Sequence, residues 1–295
     1  MLSVQLMQAG ELVIMMNQEL IKKLNNYFKN HKEVSFAYLF GSMVSGNTHS
    51  ESDIDIGIYF TPPTNELEYE SDVEYKNEDL IWLDLEKITG EKTDMVVLNR
   101  APVTLVYSVL QNGQKIFAQD ENLLFRLYLS ISLLAEDFRY FVSDFIKIKE
   151  RSHSLSEIDK ERLSRMVVFL EKEMEDFEKF KKVDQTIYGS DNFIKRNIER
   201  WVENIVNSSI DMAKIILASG KKPIPETYRL IIENLGTVAD FDQKVATTLS
   251  NFSKMRNILA HEYLDIRFAQ IKKFTQESEQ AYKYLISFVK KFIKL

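Results

Sequence analysis

The sequence predicts an α+β protein whose strands are confined to the first half of the chain. Two short apolar runs end at residues that break strands: 34–40 stops at Gly41, and 54–60 stops at Pro62 and Pro63. Runs of this length and composition are typical of β-strands. The second half keeps apolar residues three or four positions apart almost throughout, which predicts amphipathic helices.

The remaining elements are predicted from the same two periodicities. In the first half we expect helices at 18–30, 80–89 and 101–110 and strands at 93–98 and ending at Phe117. A long helix at 123–149 follows, and then helices at 157–183, 191–219, 225–233 with 238–258, and 265–293. A chain of 295 residues suits two domains of ordinary size, which we place at 1–150 and 151–295.

Composition narrows the functional classes. Residues 1–150 hold 13 Lys and Arg against 23 Asp and Glu, a net charge of −10, whereas residues 151–295 hold 25 against 21, a net charge of +4. An acidic half joined to a mildly basic half suggests that the second half contacts RNA or the first half, although ordinary drift in composition explains the same difference. The chain has no cysteine and four histidines, which argues against disulfides and a His/Cys zinc site and favours the cytoplasm. No apolar run is long enough to predict a membrane span.

The first candidate site is a Gly-Ser pair followed, ten residues later, by two aspartates in an Asp-x-Asp pattern. Residues two apart on a strand point to the same face, so Asp53 and Asp55 are expected to lie side by side. Asp94 opens the third predicted strand and is our choice for a third carboxylate, with Asp79 and Asp84 as alternatives. Clustered carboxylates bind Mg²⁺, and three can hold two metal ions for phosphoryl transfer.

The segment GSMVSGNTHSESDIDIGIYF resembles the signature of the minimal, MntA-like nucleotidyltransferases of the polymerase-β superfamily. The resemblance covers roughly 18–150 and implies a small mixed sheet with flanking helices. It also implies transfer of AMP from ATP, with Asp53, Asp55 and Asp94 as catalytic metal ligands for Mg²⁺. Gly41 and Ser42 would hold the triphosphate of ATP.

The second candidate site is the segment MRNILAHEY near the end of a predicted helix, which contains Arg256, Asn257, His261 and Tyr263. Metal-free RNA cleavage needs a proton acceptor, a proton donor and a cation beside the phosphate. Histidine titrates near neutral pH, and arginine binds phosphate with a fork of donors. A histidine that caps a helix end explains the same residues without any catalysis.

The pattern Arg-x4-His-x-Tyr resembles the signature of HepT-type HEPN ribonucleases, which are helical bundles. The resemblance covers roughly 155–295 and implies a homodimer with Arg256 and His261 as catalytic residues. Asn257 would assist them, and Tyr263 would be the residue that a partner nucleotidyltransferase modifies with AMP. Glu203 and Asp211 are further candidate helpers on a neighbouring helix.

The two resemblances together predict a fused toxin–antitoxin protein. Its nucleotidyltransferase half would transfer AMP to Tyr263 and silence the ribonuclease half, with ATP, RNA (tRNA among the candidates) and further copies of itself as partners. One alternative is an antibiotic nucleotidyltransferase whose helical half only shapes the substrate cleft. A second alternative is a nucleotide-binding module without catalysis, against which the intact acidic residues argue.

Overall fold

The computed structural model describes residues 18–45, 53–64, 66–151, 153–261 and 268–294, without the side chains of 45, 260 and 261. The chain forms two compact units, Met1–Ala135 and Glu136–Leu295. The division falls inside one long helix, earlier in the chain than the predicted boundary at 150. The exact domain boundary therefore remains a prediction.

The first unit alternates helices and strands, and both strongly predicted strands have the predicted bounds. Its elements are α1 at 18–28, β1 at Val34–Phe40, α2 at Ser42–Ser45, β2 at Ile54–Phe60, α3 at Glu78–Thr89, β3 at Thr93–Val97, α4 at Val103–Asn112 and β4 at Gln114–Ala118. The strands are short because each apolar run is bounded by glycine, proline or polar residues.

The four strands form one mixed sheet in the order β3-β2-β1-β4. β1 pairs antiparallel with β2 and β4, whereas β2 and β3 are parallel. The small mixed sheet with flanking helices is thereby confirmed. The parallel register places Asp55 directly opposite Asp94, and the antiparallel register places Phe40 at the end of β1 opposite Asp55.

The core of the first unit lies between the sheet and its helices. Leu24 and Phe28 of α1 and Ile81 and Leu85 of α3 pack onto the sheet and are fully buried. β2 is buried on both faces over most of its length, which explains why its sequence is a nearly continuous apolar run. Asp55 is the only charged residue in that run, so its carboxylate lies among largely apolar residues.

Beyond the sheet, the described chain is helical. The elements are α5 at Glu121–Arg151, α6 at Glu157–Glu175, α7 at Phe177–Lys181, α8 at Gln185–Ser190, α9 at Asn192–Ser219, α10 at Tyr228–Glu233, a 3-10 turn at Asn234–Thr237, α11 at Gln243–Ser250, α12 at Met255–His261, α13 at Phe268–Glu277 and α14 at Glu279–Lys294. The predicted all-helical second half is confirmed. No helix among the described residues combines the length and the apolar composition needed to cross a membrane.

The predicted long helices are divided more often than periodicity indicated. The helix expected at 157–183 breaks at Asp176, after which Phe177 packs edge-on against Trp201 with 4.9 Å between ring centroids. The helix expected at 265–293 breaks at the fully buried Ser278, whose hydroxyl donates to the carbonyl of Phe274 at 2.6 Å. A serine hydroxyl that binds a backbone carbonyl one turn back competes with the helical pattern and bends it.

Helix α9 is the centre of the second unit. It packs against α6, α10 and α12, and its second half, from Ser209 to Ser219, is mostly buried. Such a helix needs apolar residues on nearly all sides, as its sequence has. Because α12 packs directly on α9, the start of the MRNILAHEY segment has a rigid support.

Candidate functional sites

The first site lies at the β2–β3 edge of the sheet. Asp53 directly precedes β2, Asp55 is its second residue, and Asp94 is the second residue of β3. The pKa of Asp55 is raised above its ordinary value by burial first and then by the negative charges of Asp94 and Asp53. Asp94 and Asp53 are therefore both close enough to Asp55 for their charges to act on its carboxylate.

The structure favours Asp94 over the two other candidates for the third carboxylate. Asp84 lies on α3, where it accepts a hydrogen bond from the hydroxyl of Tyr27 at 3.3 Å and pairs with Lys87 at 2.8 Å. Asp79 belongs to the exposed first turn of α3. The carboxylates that raise the pKa of Asp55 are Asp94 and Asp53. The parallel register between β2 and β3 is what brings Asp94 to this position.

The Gly-Ser pair contacts the same carboxylate. Gly41 follows β1 with a φ of 73°, in the left-handed region that favours glycine, and a Cβ there would overlap the carboxylate of Asp55. The backbone N–H of Ser42 donates to Asp55, which lowers the pKa of Asp55 and opposes the effect of burial. The turn is thus shaped around Asp55, at the place where we expected the triphosphate to bind.

A lysine that the sequence analysis did not select also belongs to this edge. Lys92 Nζ donates to Asp53 Oδ2 at 2.7 Å, although its side chain is mostly exposed. The hydrogen bond to Asp53 and the charge of Asp53 raise the pKa of Lys92. In the sequence, Lys92 is marked only by its position two residues before Asp94. Its place beside Asp53 follows from the parallel pairing of β2 and β3.

The residues of this edge fit a divalent cation by donor chemistry and charge. Within the part of the chain that the structure describes, no three Asp, Glu or His side chains converge into a ready-made metal-binding group. Asp53, Asp55 and Asp94 nevertheless offer only oxygen ligands, and the charges of the other two act on Asp55, whose carboxylate lies beside Gly41. Mg²⁺ takes one or two carboxylates and completes its shell with water and substrate phosphates. These three aspartates are the residues that would hold it.

The second site is centred on Arg256, the second residue of α12. Its guanidinium forms an ion pair with Asp137 of α5 and lies over the ring of Tyr228, 4.1 Å from the centroid. Only 16% of the Arg256 side chain is exposed. Burial opposes the charge, but the hydrogen bond to Asp137 raises the pKa of Arg256 above its ordinary value. The arginine is therefore charged and held in place.

The other predicted residues of this site are described in part. Asn257 is buried, and its Oδ1 has no hydrogen-bond partner among the described residues. α12 ends at His261, of which only the backbone is described. Tyr263 lies outside the described residues, so the predicted roles of His261 and Tyr263 remain predictions.

Of the two candidate helpers on α9, only Asp211 lies close to the site. Its charge acts on both Arg256 and Tyr228, and its carboxylate pairs with Lys214 at 2.8 Å. Glu203 instead pairs with Arg200 on its own helix at 2.9 Å. Asp137 and Tyr228 could not be predicted from the sequence, because neither lies near MRNILAHEY in the chain.

Two comparisons with known families agree with these sites. Residues 22–122 match the family model described as polymerase beta, nucleotidyltransferase, and residues 170–291 match the one described as ribonuclease HepT-like. The first match includes Gly41, Ser42 and the three aspartates, and the second includes the whole MRNILAHEY segment. A search among curated proteins found no match.

The two matches together describe a chain that combines a nucleotidyltransferase-type region with a ribonuclease-type region. It carries a polymerase-beta-type nucleotidyltransferase domain followed by a HepT-like ribonuclease domain, in the predicted order. The nucleotidyltransferase domain implies a nucleoside triphosphate and a divalent metal in general terms, and the HepT-like domain implies RNA. The match at 170–291 favours the predicted fusion over the alternative in which the helical half only shapes a substrate cleft.

Proposed function

We propose that this protein is a fused toxin–antitoxin enzyme that silences its own ribonuclease domain with AMP. Its nucleotidyltransferase domain transfers AMP from Mg-ATP to Tyr263, and its HepT-like domain cleaves RNA with Arg256 and His261 when Tyr263 is unmodified. Both activities belong to the cytoplasm, where ATP and RNA are available.

One observation carries this proposal: a single chain holds both the acidic edge around Asp55 and the segment with Arg256, His261 and Tyr263. Fusion keeps the donor site and the acceptor tyrosine at a high effective concentration. This arrangement is what a mechanism in which one domain modifies the other requires.

The transfer step needs few groups from the protein. The phenol oxygen of Tyr263 forms a bond to the α-phosphorus of ATP, the bond from that phosphorus to the bridging oxygen breaks, pyrophosphate leaves, and the phenol proton passes to solvent. Bound Mg²⁺ would supply charge neutralisation for the triphosphate. Asp53, Asp55 and Asp94 hold the negative charge that recruits it, and the turn at Gly41 keeps Asp55 in place.

The cleavage step needs a base, an acid and a cation. The ribose 2′-oxygen attacks the adjacent phosphorus, the 5′-oxygen leaves, and a 2′,3′-cyclic phosphate forms. His261 exchanges the protons, and Arg256 stabilises the charge on the phosphorus centre. An AMP group on Tyr263, two residues from His261, adds a phosphodiester charge and a bulky base, which block RNA by repulsion and occlusion.

Two motifs that meet in a homodimer form the proposed ribonuclease site. Arg256 and His261 are five residues apart, which is about 140° of rotation on an α-helix, so they point in different directions. A second copy of the chain places an arginine from one copy near a histidine from the other. Mixing Arg256→Ala chains with His261→Ala chains should then restore part of the RNA cleavage.

The direct test of the proposal is intact-mass measurement of the full chain before and after incubation with Mg-ATP, followed by peptide mapping. We expect AMP on Tyr263 in the parent protein and in Tyr140→Phe, a control that changes a tyrosine with 70% of its surface exposed. Tyr263→Phe should carry no AMP at that peptide and should keep RNA cleavage active. AMP found only on other residues while cleavage is still inhibited would refute the mechanism.

A further inference from the structure

The guanidinium of Arg256 is held from two directions by residues that the sequence motif does not include. Asp137 forms the ion pair with Nη1, and the ring of Tyr228 lies 4.1 Å from Cζ. The hydroxyl of Tyr228 donates to the same Asp137 oxygen at 3.4 Å, so the three side chains form one closed cluster. Tyr228 itself is buried, with 4% of its surface exposed.

Asp137 comes from a part of the chain outside both family matches. It lies on α5, between the nucleotidyltransferase match that ends at 122 and the HepT-like match that begins at 170. The same stretch of α5 also fixes Tyr228, because the rings of Phe138 and Phe141 pack edge-on against it at 5.0 and 5.2 Å. This helix therefore supplies both the partner of Arg256 and the support for the ring beneath it.

We propose that Asp137 is a positioning residue for Arg256, so that the helix connecting the two family-matched regions completes the ribonuclease site. The proposal rests on the proposed ribonuclease function. Tyr228 serves as the surface on which the guanidinium rests, and Asp137 determines the direction in which it points.

The physical reason is the flexibility of arginine. An unrestrained arginine must lose rotamer freedom each time it binds a phosphate, which weakens binding and transition-state stabilisation. A guanidinium has five N–H donors in a rigid fork, so an ion pair through Nη1 leaves other donors available to RNA. The aromatic face adds a cation–π contact that holds the plane of the guanidinium without using a donor.

Asp144 provides a matched control on the same helix. It lies seven residues after Asp137, two turns further along the same face. It also forms ion pairs, with Arg162 and Lys214 at 2.9 Å each, and its side chain is exposed to nearly the same degree, 33% against 32%. Its partners do not include Arg256 among the described contacts.

The experiment measures metal-free RNA cleavage by the full chain in a background that cannot transfer AMP, Asp53→Asn with Asp55→Asn. Asp137→Asn should lower kcat by about ten- to a hundredfold, with a smaller change in KM, because Arg256 loses its orientation. Asp144→Asn should keep the parental kcat, and Asp137→Glu should recover part of the loss. In an Arg256→Ala protein, Asp137→Asn should have no further effect, since Asp137 acts through that arginine.

A second readout does not depend on cleavage. The Nε–H group of a held guanidinium gives a resolved ¹⁵N NMR signal, which Arg256→Ala identifies by its loss. We expect Asp137→Asn to broaden or average this signal and Asp144→Asn to preserve it. If no cleavage depends on His261 but the signal still responds to Asp137, the ribonuclease proposal fails while the positioning role stands.

Three outcomes would overturn the inference. An Arg256 signal that is unchanged in Asp137→Asn would show that Asp137 does not hold the arginine. A rise in cleavage in that variant would show that Asp137 withholds Arg256 from RNA. An equal loss of cleavage in Asp137→Asn and Asp144→Asn would show a general effect on the helix.

Discussion

The two sites treat charge in opposite ways. At the edge formed by β2 and β3, like charges are concentrated, and burial and neighbouring carboxylates raise the pKa of Asp55. On α5, two acidic groups have cations beside them: Asp137 pairs with Arg256, and Asp144 pairs with Arg162 and Lys214. At the first site Lys92 offsets part of the negative charge through Asp53, and the charge that remains would favour a bound cation. At the second site the cation is Arg256 itself, which is already paired with an acid.

The largest effect is expected when the acidic edge loses its charge. Asp53→Asn with Asp55→Asn should lower AMP transfer by roughly three orders of magnitude, because metal-assisted charge stabilisation is worth several kcal/mol. Transfer is measured with labelled ATP and magnesium, and circular dichroism checks that the fold persists. Asp79→Asn, an exposed carboxylate on α3, is the control and should transfer at the parental rate. Parental transfer by the double variant would remove the acidic edge from the mechanism.

The second largest effect is expected at His261. In the transfer-disabled background, His261→Ala should lower RNA cleavage by about a hundredfold or more, since acid–base catalysis contributes that much. The assay contains a chelator, because this chemistry needs no metal. His153→Ala is the control, as it removes an exposed histidine elsewhere. Cleavage that persists without His261, or that requires a metal ion, would contradict the assignment.

Two glycines with nearly the same backbone conformation allow the contact between Gly41 and Asp55 to be tested separately from backbone strain. Gly41 and Gly90 both have positive φ, 73° and 71°, but a Cβ at Gly41 would overlap Asp55, whereas a Cβ at Gly90 meets nothing within 4 Å. Gly90→Ala should cost about 1–2 kcal/mol of unfolding free energy from its backbone conformation alone. Gly41→Ala should cost more and should also lower AMP transfer.

Denaturant unfolding and transfer assays on both glycine variants separate the two contributions. Equal destabilisation, with transfer unchanged in Gly41→Ala, would show that the turn does not need to approach Asp55 closely. Unchanged transfer in Gly90→Ala is the internal check that a positive φ by itself does not affect the chemistry.

The smallest expected effect is on the pH dependence of stability. The sign of that dependence should differ between Asp144 in the helical half and Asp55 in the sheet. Burial alone would raise the pKa of Asp144, but hydrogen bonds from Arg162 and Lys214 lower it below its ordinary value of 3.8. Its stabilisation is therefore present above that value and is lost as the pH falls through the lower pKa of the folded state. Asp144→Asn should cost about 1 kcal/mol at neutral pH, after allowance for solvent screening, and nothing in strong acid.

The contribution of Asp55 to stability changes with pH in the opposite direction. Because its pKa is raised in the folded state, stability falls as the pH rises from 3.8 through that raised value. Asp55→Asn should therefore not destabilise the protein at neutral pH without divalent cations, and it should remove the stabilisation that Mg²⁺ gives the parent. Thermal unfolding between pH 3 and 8, roughly the range that covers both groups, tests the pair. Parallel pH profiles for the two variants would contradict the contrast between the regions.

Much of the fold could be predicted from local sequence. β1 and β2 have the predicted bounds because buried runs that end at glycine or proline have few alternatives. The helix breaks at Asp176 and Ser278 could not be predicted, since both interrupt apolar periodicity only through contacts made in the folded state. A serine inside an apolar pattern is compatible with a continuous helix until its hydroxyl finds a carbonyl.

Some residues of the two sites could be predicted from the sequence, and others only from the folded structure. The sequence by itself determined the Gly-Ser pair, the Asp-x-Asp pair and the segment from Arg256 to Tyr263, because each is a set of reactive groups at short, regular spacing. Only the tertiary structure decided that Asp94, rather than Asp79 or Asp84, faces Asp55, since this follows from the parallel pairing of β2 and β3.

Asp137 shows most clearly what could not be predicted from the sequence. It is 119 residues away from Arg256 in the chain and lies in a helix whose pattern reads as ordinary amphipathic sequence. Nothing local distinguishes it from the other carboxylates of α5. Its role arises from the packing of α5, α10 and α12, which brings an acid, an aromatic ring and an arginine together in a partly buried space. There an ion pair is screened less by water than on the surface, so the contact can hold the guanidinium in one direction.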